Sequence, residues 1–386
     1  MQLDKLQYGA DGWSMIRQAI GNPDNASLIL VFGDSDLSNP RRLLDELHQR
    51  YPNAWIAGAS TCGNILGDEI NRHEAVATAI QLQQGSVHCT SLPFVAGDNI
   101  ERLAQRLHDQ LPTPHLKHVL VFSDGLQVNG SELARGFNHC PHPVTGGLAG
   151  DSTRFEKTWV MANDMPAAGQ IVAIGLYGDN IQVECGSYAG WSAFGANRRV
   201  TRSQGNCLYE LDHEPALALY KRYLGDFANE LPDSGMRFPL CIETGLEEEG
   251  IIRTLLGINE AEQSITFAGD IPEGCTVRLM HPNFNRLIEG VANTVQGMAN
   301  HNPEQQLGTG LALVVSCGGR RSVLGVQTDE ELGIIRDHLP ADFWITGFYS
   351  YGELGPLKST GSHCHLHNQT VTVTCIHEHG REDSPA

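Results

Sequence analysis

Three unbroken apolar runs occur along the chain, and each ends in small or acidic residues: Leu28–Asp34, Val119–Asp124 and Leu311–Cys317. Runs of this length and composition are typical of strands buried on both faces. A helix-like pattern follows each run, at Pro40–Tyr51, Ser131–Phe137 and Asp329–His338. Further along, strand-like patterns predict three more strands, at Ala75–Leu82, Gln170–Leu176 and Gln369–Ile376.

A glycine-rich stretch lies between the helix and the last strand of each set: Trp55–Gly63, Pro143–Asp151 and Ile345–Pro356. The glycine spacing is not helical and is a poor strand pattern, so we predict bends at strand ends. Glycine has no Cβ, and it therefore lets a backbone bend sharply or approach a neighbour closely. The order strand, helix, glycine bend, strand thus occurs three times, which indicates related building blocks. Chance similarity is the alternative, because strand–helix–strand units resemble one another, and the third unit matches less well.

The later part of the chain contains a predicted helix at 213–225, with Asp212 as its cap, Pro215 in its first turn and Gly225 at its end. Apolar residues at helical spacing predict a second helix at Asn283–His301. Predicted strands are Phe238–Glu243, Ile251–Leu256, Ser264–Phe267 and Thr276–Met280. The predicted fold class is α/β to α+β, with two domains of mixed β-sheets covered by helices.

The domain division is predicted from the polar, turn-rich segment Arg198–Gly205. Segments of this kind are typical of domain boundaries, because few apolar contacts cross them. We therefore predict an N-terminal extension at 1–26, an N-terminal domain at 27–205, a C-terminal domain at 206–377 and a flexible tail at 378–386.

Composition excludes several classes of protein. With 41% apolar and 18% charged residues, the chain is typical of a globular protein. A net charge of −19 argues against nucleic acid and anionic membranes as partners, because both attract clustered Lys and Arg. The sequence contains no secretory signal, no apolar run of the roughly 20 residues that span a membrane, and no Cys-x-x-Cys pair. We expect a cytoplasmic protein whose ten cysteines are mostly free and buried.

Two motifs carry a family resemblance. GGLAGD followed by STRFEKTWV, and GFYSYGELGP followed by HNQTVTV, resemble the two halves of the FIST sensory domain over roughly residues 27 to 377. The resemblance implies a ligand-sensing module of bacterial signal transduction that takes small ligands such as amino acids, and no enzymatic activity. Together with the glycine bends it predicts a ligand pocket, for which the candidates are Gly146, Gly147, Gly150, Asp151, Gly347, Phe348, Gly352 and Glu353.

A stand-alone chain of this length also resembles one branch of the family, the haem-binding nitric-oxide sensor NosP. That resemblance implies a haem cofactor, nitric oxide as the gaseous ligand and a partner histidine kinase in two-component and cyclic-di-GMP signalling. The resemblance leaves open whether the protein forms a homodimer.

Histidine-rich segments supply the candidate haem contacts. If His363, His365 and His367 lie on a strand, the period of two places them on one face, where they could bind a transition metal or haem. His367 belongs to the HNQT motif and is the candidate iron ligand, although a structural role is equally open. The second segment is His139, Cys140 and His142, for which a rigid turn is the alternative. Ring candidates for the pocket wall are Tyr349 and Tyr351.

Catalysis has weaker support in the sequence. Gly-Asp-Ser occurs at 33–35 and at 150–152, but neither matches the Gly-x-Ser-x-Gly elbow of hydrolases. Asp34, Asp124 and Asp151 follow strand ends and could serve as acids or as caps, and capping is the commoner use. Three hypotheses therefore remain: a haem-based nitric-oxide sensor, a sensor of a small metabolite without haem, and a hydrolase.

Overall fold

The computed structural model describes residues 1–243, 250–299, 309–357 and 363–379. Its strands are β1 Gln2–Gly9, β2 Gly12–Arg17, β3 Leu28–Gly33, β4 Trp55–Ser60, β5 Asn64–Leu66, β6 Ile70–Asn71, β7 Ala75–Gln81, β8 Ser86–Pro93, β9 Leu116–Ser123, β10 Val144–Leu148, β11 Val160–Ala162, β12 Gln170–Tyr177, β13 Ile181–Tyr188, β14 Ser192–Gln204, β15 Cys207–Leu211, β16 Glu214–Pro215, β17 Leu240–Ile242, β18 Ile251–Arg253, β19 Leu255–Asn259, β20 Ser264–Phe267, β21 Thr276–His281, β22 Gly310–Cys317, β23 Phe343–Ser350, β24 Gly352–Pro356, β25 Cys364–His367 and β26 Val371–Glu378. The α-helices are α1 Pro40–Arg50, α2 Ile100–Asp109, α3 Gly130–Phe137, α4 Ala216–Leu224, α5 Phe284–Ala299, α6 Gly318–Leu324 and α7 Thr328–His338. Mixed sheets covered by helices confirm the predicted fold class.

Three six-stranded sheets repeat one arrangement. The first has the order β11-β4-β3-β7-β1-β2, the second β25-β24-β10-β9-β12-β8 and the third β13-β26-β22-β23-β5-β6. Each contains a parallel pair, β3 with β4, β9 with β10 or β22 with β23, joined through its first strand to an antiparallel neighbour, β7, β12 or β26. These are the three predicted units, and their equal strand order supports the interpretation as related building blocks.

The glycines occupy the same register position in all three parallel pairs. Gly58 lies opposite Val31, Gly146 opposite Val121 and Gly347 opposite Val314. A Cβ on any of these glycines would lie 1.8–1.9 Å from the carbonyl oxygen of the opposing valine. The expectation that these stretches are poor strands is therefore wrong, since the glycines lie inside strands. They are required because the neighbouring backbone is too close for a side chain.

The three units exchange strands in a cycle. The strand that follows the parallel pair leaves its own unit and joins the next sheet: β5 pairs with β23, β24 with β10, and β11 with β4. Each unit therefore both donates a strand and accepts one, so that no sheet is complete without another unit. The residues between the exchanged strands and their parent strands are the bends that the glycine pattern predicts.

The three sheets share one central core. Phe32, Phe122 and Phe348 meet there, with ring centroids 4.7–5.8 Å apart. On its outer face each sheet is covered by its own helices: α1 on the first, α2 and α3 on the second, and α5 and α7 on the third. Asparagine caps start three of these helices, at Asn39, Asn99 and Asn129, and satisfy the first backbone N–H groups.

The fourth sheet belongs to a smaller body. Its order is β18-β17-β21-β14-β15-β20-β19, with β16 paired to β15, and α4 packs on it through an apolar core of its own. The helix α4 begins at Ala216, so Pro215 precedes its first turn, and Asp212 does not cap it. Asp212 instead accepts a hydrogen bond from the Arg199 backbone N–H at 2.9 Å. Gly225 ends the helix with a φ of 58°, as predicted.

The second helix predicted in the later part of the chain is α5. The end predicted for this helix, at residue 301, lies outside the described residues. The residues of the predicted extension at 1–26 form β1 and β2, which join the first sheet. All ten cysteines are free and eight are buried, which confirms the expectation for the thiols. Within the described ranges, none of the helices has the length and apolar character needed to cross a membrane.

Candidate functional site

The three strand-end bends meet at one point of the molecule. Each bend donates a backbone hydrogen bond to the end of the next unit's parallel strand: Cys62 N–H to Tyr349 O at 2.7 Å, Gly150 N–H to Ser60 O at 2.9 Å and Tyr351 N–H to Leu148 O at 3.1 Å. This closed cycle explains why side chains are small at the junction, since a Cβ on Gly150 would lie 2.4 Å from the Cys62 sulfur. The carboxyl ends of parallel strands, where ligands bind in open α/β sheets, are thus gathered together.

A cavity of about 330 Å³ lies beside this junction, between the bends and the smaller body. The large body supplies the loop after β9, the ends of β10 and β23, and the start of α6, and the smaller body supplies strand ends that face them. The lining residues are Gly125, Leu126, Gln127, Val128, Asn129, Leu148, Ser152, Thr153, Phe155, Asn206, Met236, Thr254, Leu256, Phe267, Ala268, Gly269, Cys317, Gly318, Gly319, Ser322, Ser350 and Tyr351.

The lining is apolar with uncharged polar groups, and none of its described residues is Lys, Arg, Asp or Glu. Phe155 and Tyr351 form an aromatic wall of two stacked rings, with ring centroids 4.6 Å apart and planes within 6° of parallel. The hydroxyl of Thr254 is buried and has no hydrogen-bond partner among the residues that the structure describes. Because an unpaired buried hydroxyl is costly, a ligand group that bonds to it would gain affinity. These features are typical of a pocket for a small organic molecule.

Asp151 holds the loop that carries Phe155. Its carboxylate accepts hydrogen bonds from the backbone N–H groups of Phe155, Glu156 and Lys157, each at 2.8 Å, and from the Tyr351 hydroxyl. Burial alone would raise the pKa of Asp151, but these donors lower it below its ordinary value. Asp151 is therefore a negatively charged brace behind the aromatic wall, and its oxygens are already engaged.

The predicted pocket residues lie around the cavity more than in it. Gly146, Gly147, Gly347 and Phe348 are buried within strands, and Gly150 and Asp151 lie at the junction behind the wall. Tyr351 lines the cavity, whereas Tyr349 is fully buried under the Arg321 guanidinium, 5.2 Å from its ring centroid. The two remaining candidates, Gly352 and Glu353, begin β24.

Glu353 is a fully buried carboxyl group next to the cavity wall. It accepts hydrogen bonds from the hydroxyls of Ser350 at 2.6 Å and Thr370 at 2.7 Å. Burial raises the pKa of Glu353 to about 8, although the two hydroxyls partly oppose the shift. The folded protein therefore keeps this group protonated in a pH range where the unfolded chain ionises it.

Replacement of Glu353 by glutamine is expected to change how stability depends on pH. Between the ordinary carboxyl pKa, about 4.5, and about 8, the folded state holds a proton that the unfolded state has lost. The contribution of Glu353 to the free energy of unfolding therefore falls as pH rises through that window, by up to about 1.4 kcal/mol per pH unit. Urea unfolding of the original protein and of Glu353→Gln, from pH 5 to 8, measures this contribution. Subtracting one plot of unfolding free energy against pH from the other removes the effect of every other titrating group. Parallel curves would contradict the assignment.

The three histidines near the C-terminus do not line the cavity. His363 is exposed, and His365 and His367 lie on β25 with ring centroids 6.3 Å apart. His367 is buried, and its Nε2 lies 3.1 Å from the carbonyl oxygen of Gly355. Burial lowers the pKa of His367 to about 3, so the ring is neutral and donates to that carbonyl.

The second histidine segment forms a compact cluster of its own. His139 is exposed, but Cys140 and His142 turn inward, with 3.6 Å between the Cys140 sulfur and His142 Nδ1. His108, from the last turn of α2, joins them, and the three possible ligand atoms lie within 4.8 Å of one another. The sequence reasoning missed His108 because nothing in the local pattern shows which loop packs against the end of α2.

Asp34, Asp124 and Asp151 occupy different positions. Asp124 accepts hydrogen bonds from the backbone N–H groups of Leu126, Gln127 and Gly169, and thus caps the loop that forms one cavity wall. Asp34 lies on a second, polar groove, and burial raises its pKa above its ordinary value. Two of the three carboxylates therefore use their oxygens to fix loops.

Haem does not fit the described lining of the cavity. No imidazole is among the residues that line it, and burial raises the pKa of the Cys317 thiol far above its ordinary value, which disfavours a thiolate ligand. The Tyr351 hydroxyl is bonded to Asp151. The thioether of Met236 also lines the cavity, but haem proteins that use a methionine ligand pair it with a histidine, and the described lining offers none.

The residues that sequence reasoning missed are mostly those of the smaller body. Thr254, Phe267 and Gly269 line the cavity from strand ends, but their local pattern is that of any strand end. The Phe-Ala-Gly stretch at 267–269 was the one available signal, since small residues after a strand permit close approach.

Comparison with known proteins finds two family models that match this chain. The FIST N domain model matches residues 27–214, and the FIST C domain model matches residues 216–356. The uncharacterized protein MJ1623 of Methanocaldococcus jannaschii is 22% identical over 321 residues, which covers 74% of this chain. The chain spans 60% of the length of that relative. FIST domains indicate a sensory role in signal transduction. The two matched models together span residues 27–214 and 216–356, which shows that this chain belongs to the FIST domain family.

Proposed function

We propose that this protein is a sensor that binds a small metabolite, such as an amino acid, in the cavity between its two bodies and reports occupancy to a partner histidine kinase. The observation that carries the proposal is the composition of the cavity wall, because residues from both bodies line the same space. A ligand in that space contacts both bodies at once, and its affinity therefore depends on how they are placed.

The seam beside the cavity consists of polar contacts that can be broken and remade. Asp270 of the smaller body accepts hydrogen bonds from Asn129 at 3.0 Å and Arg135 at 2.8 Å. In the other direction, the buried Arg253 guanidinium donates to the carbonyl oxygen of Leu366 at 2.9 Å. Ligand binding shifts an equilibrium only through a difference in affinity between two states, and we expect the second state to differ in these contacts.

The lining favours a ligand with a planar or apolar part and no net charge. The Phe155–Tyr351 wall offers an aromatic face, and the glycines Gly269, Gly318 and Gly319 contribute backbone to the lining. Peptide groups can hold the ammonium and carboxylate of an amino acid without a charged partner. An amino acid with an apolar or aromatic side chain meets both conditions.

Haem and nitric oxide, which the family branch implies, remain the competing version of the sensor. An absorption spectrum of protein purified after growth with added haem distinguishes the two, since bound haem gives an intense Soret band that moves with nitric oxide. Because the described lining offers no imidazole and its thiol is held protonated by burial, we expect no such band. A stoichiometric band would replace the metabolite proposal with the haem version.

Replacement of Thr254 by valine is expected to weaken ligand binding without weakening the fold. The change keeps the shape and removes the buried, unpaired hydroxyl, so affinity falls by roughly 3- to 10-fold, the equivalent of one hydrogen bond. A thermal-shift screen of L-amino acids identifies the ligand, and calorimetry then compares the two proteins.

The matched control is Thr158→Val, because the Thr158 hydroxyl is also buried without a partner among the described residues but lies outside the cavity lining. Both variants should keep the stability of the original protein, and only Thr254→Val should lose affinity. Equal affinity in the two variants would remove Thr254 from the site, and no binding by any amino acid would contradict the proposed ligand class.

A further inference from the structure

We infer that His108, Cys140 and His142 form a binding site for a transition-metal ion of the zinc type, on the second sheet and separate from the cavity. The three donors come from two places in the chain: His108 ends α2, and the other two lie in the loop between α3 and β10. Two imidazoles and one sulfur are a ligand set that Zn²⁺ takes up in proteins.

The distances require little movement. In a tetrahedral zinc site, bonds of about 2.0 Å to nitrogen and 2.3 Å to sulfur separate neighbouring ligand atoms by roughly 3.3–3.6 Å. The Cys140 sulfur and His142 Nδ1 are already 3.6 Å apart, and the whole set lies within 4.8 Å. A side-chain rotation of the third ligand closes the site, and a water molecule can complete it.

A second observation points to a ligand at this place. The His108 Nε2 atom is buried and lacks a hydrogen-bond partner within the described parts of the chain. The ring of His108 lies 6.4 Å from that of His142, so two imidazoles face one another with no acidic group between them in the cluster. A buried imidazole nitrogen without a partner is costly, and a metal ion would satisfy that of His108.

Metal binding releases a proton from this site. A thiolate and not a thiol is the sulfur ligand of a metal ion, so the Cys140 sulfur must lose its proton on binding. A neutral imidazole supplies its nitrogen lone pair directly. The balanced step is Cys140–SH plus Zn²⁺ giving a zinc–thiolate bond and one proton released to water.

Such an ion would fix the loop between α3 and β10 to the end of α2. The same loop is already joined to β25, because Asn138 exchanges hydrogen bonds of 3.0 Å and 2.7 Å with the Cys364 backbone. An ion at this point therefore links helices, loop and strand on one side of the second sheet. Its occupancy would stiffen the wall of the molecule that carries the β9 and β10 strand ends.

Cobalt substitution tests the site directly. The full chain, stripped with a chelator and titrated with Co²⁺, is expected to bind one equivalent with the near-ultraviolet band of a thiolate–cobalt bond and the visible bands of tetrahedral cobalt. Zn²⁺ should displace the cobalt and raise the thermal midpoint. Absence of both cobalt bands with one equivalent of metal would overturn the proposal.

Variants identify the ligands. Cys140→Ser should remove the thiolate band, while Cys207→Ser, at a half-buried cysteine of the smaller body, should leave it unchanged. If Cys140→Ser does not fold, His108→Gln serves instead, since it replaces a ligand in the last turn of α2 with a polar side chain of similar size and should weaken Co²⁺ binding by more than about 100-fold. Unchanged cobalt spectra and affinity in His108→Gln would also overturn the three-ligand site.

Discussion

Gly347→Ala is expected to lose most of the stability of the folded protein, by roughly 3–5 kcal/mol. A Cβ at this position would lie 1.8 Å from the Val314 carbonyl oxygen, and the backbone φ of 155° lies in a region that L side chains rarely adopt. Both the clash in a packed sheet and the strained backbone cost energy, and neither neighbour is a flexible side chain that could move away. Urea unfolding followed by circular dichroism measures the loss.

Gly333→Ala is the matched control for this change. Gly333 lies inside α7, and a Cβ there meets nothing within 4 Å. Alanine in a helix interior is favoured over glycine, so this variant should gain about 0.5–1 kcal/mol. A Gly347→Ala protein within 1 kcal/mol of the original would show that the parallel pair has room that the structure does not show.

Arg320→Met is expected to cost about 3–5 kcal/mol, because it leaves the buried Glu331 carboxylate without its counterion. Both side chains are fully buried, and Arg320 Nε lies 2.6 Å from Glu331 Oε1. The guanidinium also donates to the carbonyl oxygens of Ala189 at 2.6 Å and Leu287 at 2.5 Å. It therefore joins α6, which forms the cavity floor, to the chain leading into the smaller body and to α5.

Two further variants distinguish the effect of losing the ion pair from the effect of losing side-chain packing. Arg320→Met with Glu331→Leu should recover part of the loss, since replacing both partners leaves no isolated buried charge. Arg222→Met removes a largely exposed ion pair with Glu214 and should change stability by less than about 1 kcal/mol. If the double variant is no more stable than Arg320→Met alone, the two carbonyl contacts carry the effect instead of the charge.

The buried pair also gives the metabolite proposal a structural consequence. Gly318 and Gly319 line the cavity, and Arg320 is the next residue along α6. Movement of the cavity floor on ligand binding would be passed to Ala189 and Leu287 through this one side chain. Hydrogen exchange at those two positions, with and without ligand, reports whether that contact responds.

The elements themselves follow from local sequence. Unbroken apolar runs correctly predicted β3, β9 and β22, and the predicted ends of Ser264–Phe267 agree with β20. Helix-like patterns correctly located α1 and α3, which the structure shows to begin at asparagine caps. Such patterns succeed because burial on both faces of a strand, or on one face of a helix, is decided by residues close together in the chain.

The glycine pattern, in contrast, indicated where the backbone needs freedom from side chains. It did not indicate whether a sharp turn or a neighbouring strand is the reason. The stretch Ile345–Pro356 was predicted as a bend, and it is two strands, β23 and β24, with a bend at Tyr351. A glycine required by a sharp turn and one required by a neighbouring carbonyl have the same sequence signature. Only the register of Val314 opposite Gly347 distinguishes them.

By itself, the sequence determined the first and last strands of each of the three units, most of the described helices, the buried thiols, the threefold order of the units and the family resemblance. The tertiary structure alone decided that β5, β11 and β24 cross between units, that Thr254 reaches the cavity, and that His108 meets Cys140. The physical reason is that a short strand has the same local pattern whichever sheet it joins. Its partner is chosen by the packing of segments that are distant in the chain, and the ligand sites lie where those segments meet.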